Sequence, residues 1–256
     1  MNRAFAFASR CFRELMRDPL GYIFVIGFPI MMLLIMTAVD RSIPADKGPT
    51  LFRIESLTPA TVVFGQGFLM LFTALSIATD RKESFLTRLY ATPMTAFELS
   101  AGYILPMLFA ALIQAALTLV TGFIISVIEG CAMNAGGLLF CLIMLMPSAL
   151  MYIGFGVVFG VLFSDKAAPG VSSMLISLGS FLGGVWFDPD ATGGIMLTIC
   201  KCLPFYYCTH LARASAALEF TAEGFFIPLI VAVISAAALI ALGCFCFTKK
   251  MRADLG

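Results

Sequence analysis

The chain has 256 residues, 61% of them hydrophobic and 12% charged, with a net charge of +1 at pH 7 and a mean hydropathy of +1.00. That composition excludes a soluble globular domain and a disordered segment, and it reads as one all-α integral membrane domain over residues 1–256. A near-zero net charge gives no footprint for nucleic acid.

Residues 1–19 predict an amphipathic helix lying on the membrane. Phe5, Ala8, Phe12, Leu15 and Met16 fall on one side at helical spacing, with Arg3, Arg10, Arg13 and Arg17 on another, toward anionic headgroups. Arginines recur through this stretch, unlike the apolar core of a signal peptide, and Asp18-Pro19 ends it. A bilayer takes about 20 mainly apolar residues to cross as a helix. Six stretches qualify: Leu20 to Val39, Pro59 to Thr79, Ala101 to Ile128, Leu138 to Phe163, Gly170 to Phe187 and Phe225 to Phe247, none of them containing Asp, Glu, Lys or Arg. Helices are the expected spanning element, since these runs lack the alternation of barrel strands.

Between the second and third spans lies a charged island, residues 80–100. Asp80 with Glu83 predicts the cap of a short helix whose Phe85, Leu86, Leu89 and Tyr90 share one side, while Lys82 and Arg88 point elsewhere. Thr92-Pro93 ends that helix, and Thr95 with Glu98 opens another that runs into the third span. Such an island suits a contact surface for a partner outside the membrane.

Inside the spans, Gly156 with Gly160 and Gly179 with Gly183 are small-xxx-small pairs, either packing within the chain or forming a seam between copies. Pro29, Pro106 and Pro147 predict kinks. Gln66 and Gln114 are the most polar residues at depth, and each either faces a substrate path or bonds a neighbouring helix. Phe181 and Trp186 are further candidates for that path, with interfacial anchoring the other reading of Trp186.

Residues 188–224 form a long outer segment, too apolar at its centre for a solvated loop, so a re-entrant or interfacial hairpin is expected with Tyr206 and Tyr207 at headgroup level. Cys200, Cys202 and Cys208 near His210 permit a metal site, but the spacing fits no standard zinc pattern; apolar packing, or a disulfide among them or with Cys131, are the other readings. No metal is expected.

Eleven of the sixteen Lys and Arg residues fall on the side of the termini, the island and Lys166. The positive-inside rule therefore predicts a multi-pass cell-membrane protein with both termini and the island cytoplasmic.

The helix before the first span, the six spans, the run R-L-Y-A-T-P-M-T-A-F-E-L-S from Arg88 to Ser100, and L-P-F-Y-Y from Leu203 to Tyr207 resemble the membrane permeases of type 2 ATP-binding-cassette (ABC-2 type) transporters, mostly exporters. The resemblance covers nearly the whole chain. It implies a single permease domain whose island is a coupling helix, with Glu83, Phe85, Arg88, Leu89, Tyr90 and Pro93 docking on a separate ATPase that carries the ATP and Mg. It also implies a second permease copy, identical or similar, within the lipid bilayer. The expected cargo is a hydrophobic or amphipathic compound: a drug, a lipid or a lipid-linked glycan.

The residues support an externally driven pump independently. The spans hold no ionisable group for proton or sodium coupling, and no G-x-x-x-x-G-K-[ST] loop occurs. The residues argue against an intramembrane hydrolase, and so against an enzyme: there is no G-x-S-x-G, no paired carboxylates at depth and no histidine besides His210. A passive channel or membrane scaffold is the alternative, and it would not need the island.

Overall fold

The computed structural model describes residues 2–43, 50–83, 85–86, 94–131 and 133–255. Among them there are helices and no strands, as apolar runs that must satisfy their own backbone demand. In chain order they are α1 (Asn2–Leu15), α2 (Pro19–Ser42), α3 (Ile54–Lys82), α4 (Ala96–Glu129), α5 (Ala135–Met144), α6 (Met146–Leu162), α7 (Ala168–Leu182), α8 (Pro189–Thr192), α9 (Gly194–Lys201), α10 (Pro204–Ala217) and α11 (Ala222–Lys250). Among the described residues five spans are long and apolar enough to cross a membrane, α2, α3, α4, α5 with α6, and α11, or six if α9 with α10 counts as one.

Helix α3 is the hub. Most of its residues are buried, and α2, α4, α6, α7 and α10 all pack on it. Its closest neighbour is α6, because glycines let the two backbones meet: a Cβ on Gly156 would lie 2.6 Å from the Met70 carbonyl oxygen, and one on Gly160 the same distance from Ile77 Cβ. Intrachain packing is therefore the role of that pair. Gly179 and Gly183 face Phe205 at the start of α10.

Prolines set the irregularities. The amide of Phe28 bonds the Ile23 carbonyl and that of Ile227 bonds the Ala222 carbonyl, so each helix widens into a π turn just ahead of Pro29 or Pro228, which cannot donate. Pro147 breaks the fourth span at Leu145. The Leu145 carbonyl then accepts from Ala149 N (3.0 Å), Ser148 Oγ (2.8 Å) and Gln66 Nε2 (3.2 Å).

The fifth expected span is shorter than the sequence suggests. α7 ends at Leu182, where Gly183 and Gly184 (φ +73°) stop it, and its 15 residues rise about 22 Å against a hydrocarbon core of about 30 Å. Close to it, α9 and α10 meet at 88°, a broken span or re-entrant pair, in the segment where a re-entrant or interfacial hairpin was expected. Beside them Asp190 accepts from Tyr206 Oη (2.8 Å) and contacts His210 Nε2 (3.1 Å), and Arg213 bonds the carbonyls of Ser56 and Gly184.

Candidate functional site

Helix α1, the stretch of α11 around Phe247 and the ends of α3 and α6 meet at one end of the bundle. In the last turn of α3, Asp80, Arg81 and Lys82 follow one another, so at about 100° per residue they point in three directions. Each holds a different element. Asp80 accepts from Tyr103 Oη of α4 at 2.6 Å and from Arg10 of α1 at 3.1 Å, and it is only 6% exposed. Arg81 donates to the carbonyls of Val161 and Phe163 where α6 ends. Lys82 Nζ meets Asp165 at 2.7 Å in the following loop.

Rings close over the Arg10–Asp80 pair. The Arg10 guanidinium lies 3.7 Å from the Phe85 ring centroid and also pairs with Glu14 at 2.8 Å. Phe7 meets Tyr103 edge-on at 5.0 Å, and Tyr103 stacks on Phe247 of α11 at 6.3 Å. The absence of a side chain at Gly102 admits the Phe7 ring, since a Cβ there would lie 2.1 Å from it. A buried carboxylate is tolerated only when paired and hydrogen-bonded, and Asp80 is both.

The electrostatics follow. Burial works against the Arg10 charge, but Asp80 and Glu14 more than offset it and raise its pKa. Burial, with the Asp80 charge, pushes the Cys11 thiol up to about 12, so that sulfur is no nucleophile. The hydrogen bond from Lys82 lowers the Asp165 carboxyl. Between α1, α3 and α4 a crevice of about 290 Å³ opens beside Arg10, Glu14, Asp18, Asp80 and Glu83.

A family model described as ABC-2 type transporter matches residues 3–217, from α1 to the end of α10. The chain belongs to the ABC-2 type transporter family. No curated protein sequence matches it. This ABC-2 permease is a multi-pass membrane transport subunit, and the phosphate-binding loop of an ATPase is not in its sequence. ABC-2 permeases pair with ABC ATPase subunits, which bind the ATP.

Several expected residues sit otherwise than their spacing suggested. Asp80 does not cap a new helix; α3 runs on to Lys82, because the half-buried guanidinium and the buried phenol engage the carboxylate more strongly than an exposed amide would. The inward face of α1 is Ala4, Phe7, Ala8, Cys11 and Leu15, so Phe5 is exposed and Arg10 turns inward from the headgroup face. The Thr95–Glu98 capping box forms, with Glu98 N to Thr95 Oγ1 at 3.2 Å and Thr95 N to Glu98 Oε2 at 2.8 Å.

Of the docking candidates, Glu83 closes the last turn of α3 through its amide to Thr79 and borders the crevice, and Phe85 lies under Arg10. Arg88, Leu89, Tyr90 and Pro93 lie outside the described residues. Gln66 is fully buried between α3 and α6, with Oε1 accepting from Ser148 at 2.7 Å. Gln114 is fully buried over Gly65, its Nε2 3.4 Å from the Val62 carbonyl, while its Oε1 has no partner among the described residues. Phe181 is exposed on α7, and Trp186 packs edge-on against Phe64 at 5.1 Å.

Among the described residues no three His, Cys, Asp or Glu side chains converge as metal ligands, and the cysteines carry no disulfide. Cys208 Sγ instead packs on Met151 Sδ at 3.8 Å. The Arg10–Asp80–Tyr103 cluster is what sequence reading missed. Its one signal was a lone acid at the end of an otherwise uncharged span, 70 positions from an arginine on an amphipathic helix.

Proposed function

We propose that this permease, as a dimer with an identical or similar copy, exports a hydrophobic or amphipathic compound such as a drug, lipid or lipid-linked glycan. A separate ATPase docks on the cytoplasmic island after α3 and drives it, and both termini share that side. One observation carries this reading: Asp80, Arg81 and Lys82, the first residues of the island, tie it to α1 with α4, to the end of α6 and to the loop after it. A push on the island therefore reaches helices on several sides of the hub, as a coupling element requires and a passive channel does not. Discrete packed arrangements convert such a displacement into a change of state. The uncharged spans suit an apolar cargo and supply no ion site to drive it.

The test is Arg88→Ala with Leu89→Ala, which removes a charge and an apolar anchor of the kind that dominates small interfaces. Normal abundance with lost ATPase co-purification and lost substrate-stimulated ATP turnover is expected. Retention of the partner with full turnover would show that the island is not the coupling element.

A further inference from the structure

An apolar groove of about 270 Å³ lies between the end of α1, the start of α2 and the middle of α4, walled by Phe12, Leu15, Tyr22, Val25, Phe109 and Ile113. The charges around it are sorted. Glu14 is bound to Arg10 at 2.8 Å and borders the separate crevice against α3, whereas Asp18, whose Oδ1 accepts from Leu20 N at 3.0 Å, borders that crevice and also lies against Gly21 at the edge of the groove. Arg13 and Arg17, each next in the chain to a groove residue, are exposed, and neither forms an ion pair among the described residues. Arg13 gives Nε and one terminal nitrogen to the Ser9 carbonyl and hydroxyl, which holds the fork in place and leaves further N–H donors. Tyr22 Oη donates to the Met16 carbonyl at 3.1 Å, fixing an interfacial ring at the groove.

We propose that this groove seats one acyl chain of an anionic membrane phospholipid, with its phosphate on Arg13 and Arg17. The charge sorting decides the occupant. An apolar slot in a membrane protein accepts any lipid tail, but two guanidiniums that are next in the chain to its walls and have no ion pair among the described residues outnumber the one carboxylate at its edge, Asp18, and favour a head with net negative charge. This site would tether the elbow between α1 and α2 to the bilayer, on the same helix whose other side grips Asp80. It requires only that the chain lie in a membrane, so it stands or falls separately from the ATPase reading.

The experiment is native mass spectrometry of the full chain, offered phosphatidylglycerol and phosphatidylcholine with identical acyl chains. Preferential retention of phosphatidylglycerol is expected. Each arginine near an anionic head contributes about fivefold, so Arg13→Gln with Arg17→Gln should cut the preference roughly 25-fold while a lipid is still bound. Ala110→Phe, which fills the groove without changing charge, should lower retention of both lipids. Equal retention of the two lipids by the unaltered protein overturns the proposal, whatever the variants do. So does a preference that survives the double glutamine variant.

Discussion

Asp80 shows how a single residue at the edge of the apolar layer acquires its role from its partners. Removing it leaves Arg10, which is partly solvated, with Glu14 alone, so Asp80→Ala should cost about 2 kcal/mol instead of the 3–5 kcal/mol typical of fully buried pairs. That corresponds to a fall in Tm of about 4–8 °C in detergent, whereas Tyr103→Phe, which loses one hydrogen bond, should lower it by about half as much. Equal effects of the two would argue against an ion pair at the centre of the cluster. The same burial predicts cysteine reactivity. With its thiol pushed up to about 12, Cys11 should react with maleimide at pH 7.5 far more slowly than exposed Cys131 and Cys202, as peptide mass mapping can read. Arg10 and Asp80 carried too little pattern for the sequence to join them, since a helix of 14 residues fixes which positions share a face but not which face turns inward.

The elements depend on small residues and prolines whose positions were legible, although their partners were not. Gly156 lies on the Met70 carbonyl, so Gly156→Leu should push α6 off α3 and destabilise by at least about 1–3 kcal/mol, whereas Gly170→Leu, with open space at its Cβ, should be tolerated. Thermal unfolding of the two variants side by side separates packing from a general intolerance of bulk. The break at Pro147 could be read directly, because proline removes a donor wherever it stands. Its consequence could not: the Leu145 carbonyl at the break keeps its bond from Ala149 and also takes Gln66, a residue 79 positions away that sequence reading could equally give to a substrate path. α7 was overestimated because hydropathy counts apolar residues through Gly183 and Gly184, where the backbone turns.

At the scale of the molecule, the proposed topology makes a prediction of its own: a cysteine at Thr87 should be labelled only from the cytoplasmic side, and one at Asp46 only from outside. The reverse pattern would remove the docking surface from the ATPase's compartment. Composition and run length by themselves determined an all-helical membrane protein, its long spans and its charged island, because the hydrocarbon core admits only segments that satisfy their own backbone bonds. Local chemistry likewise determined the Thr95–Glu98 box, whose partners are three residues apart. What only the tertiary structure decided is which helix became the hub and which charges met at its end. α3 is no more apolar than the others, and it is central because α6 brings glycines to it and α1 brings Arg10. Those contacts join residues 70 to 90 positions apart, and no local spacing or hydropathy encodes which distant side chain will stand opposite.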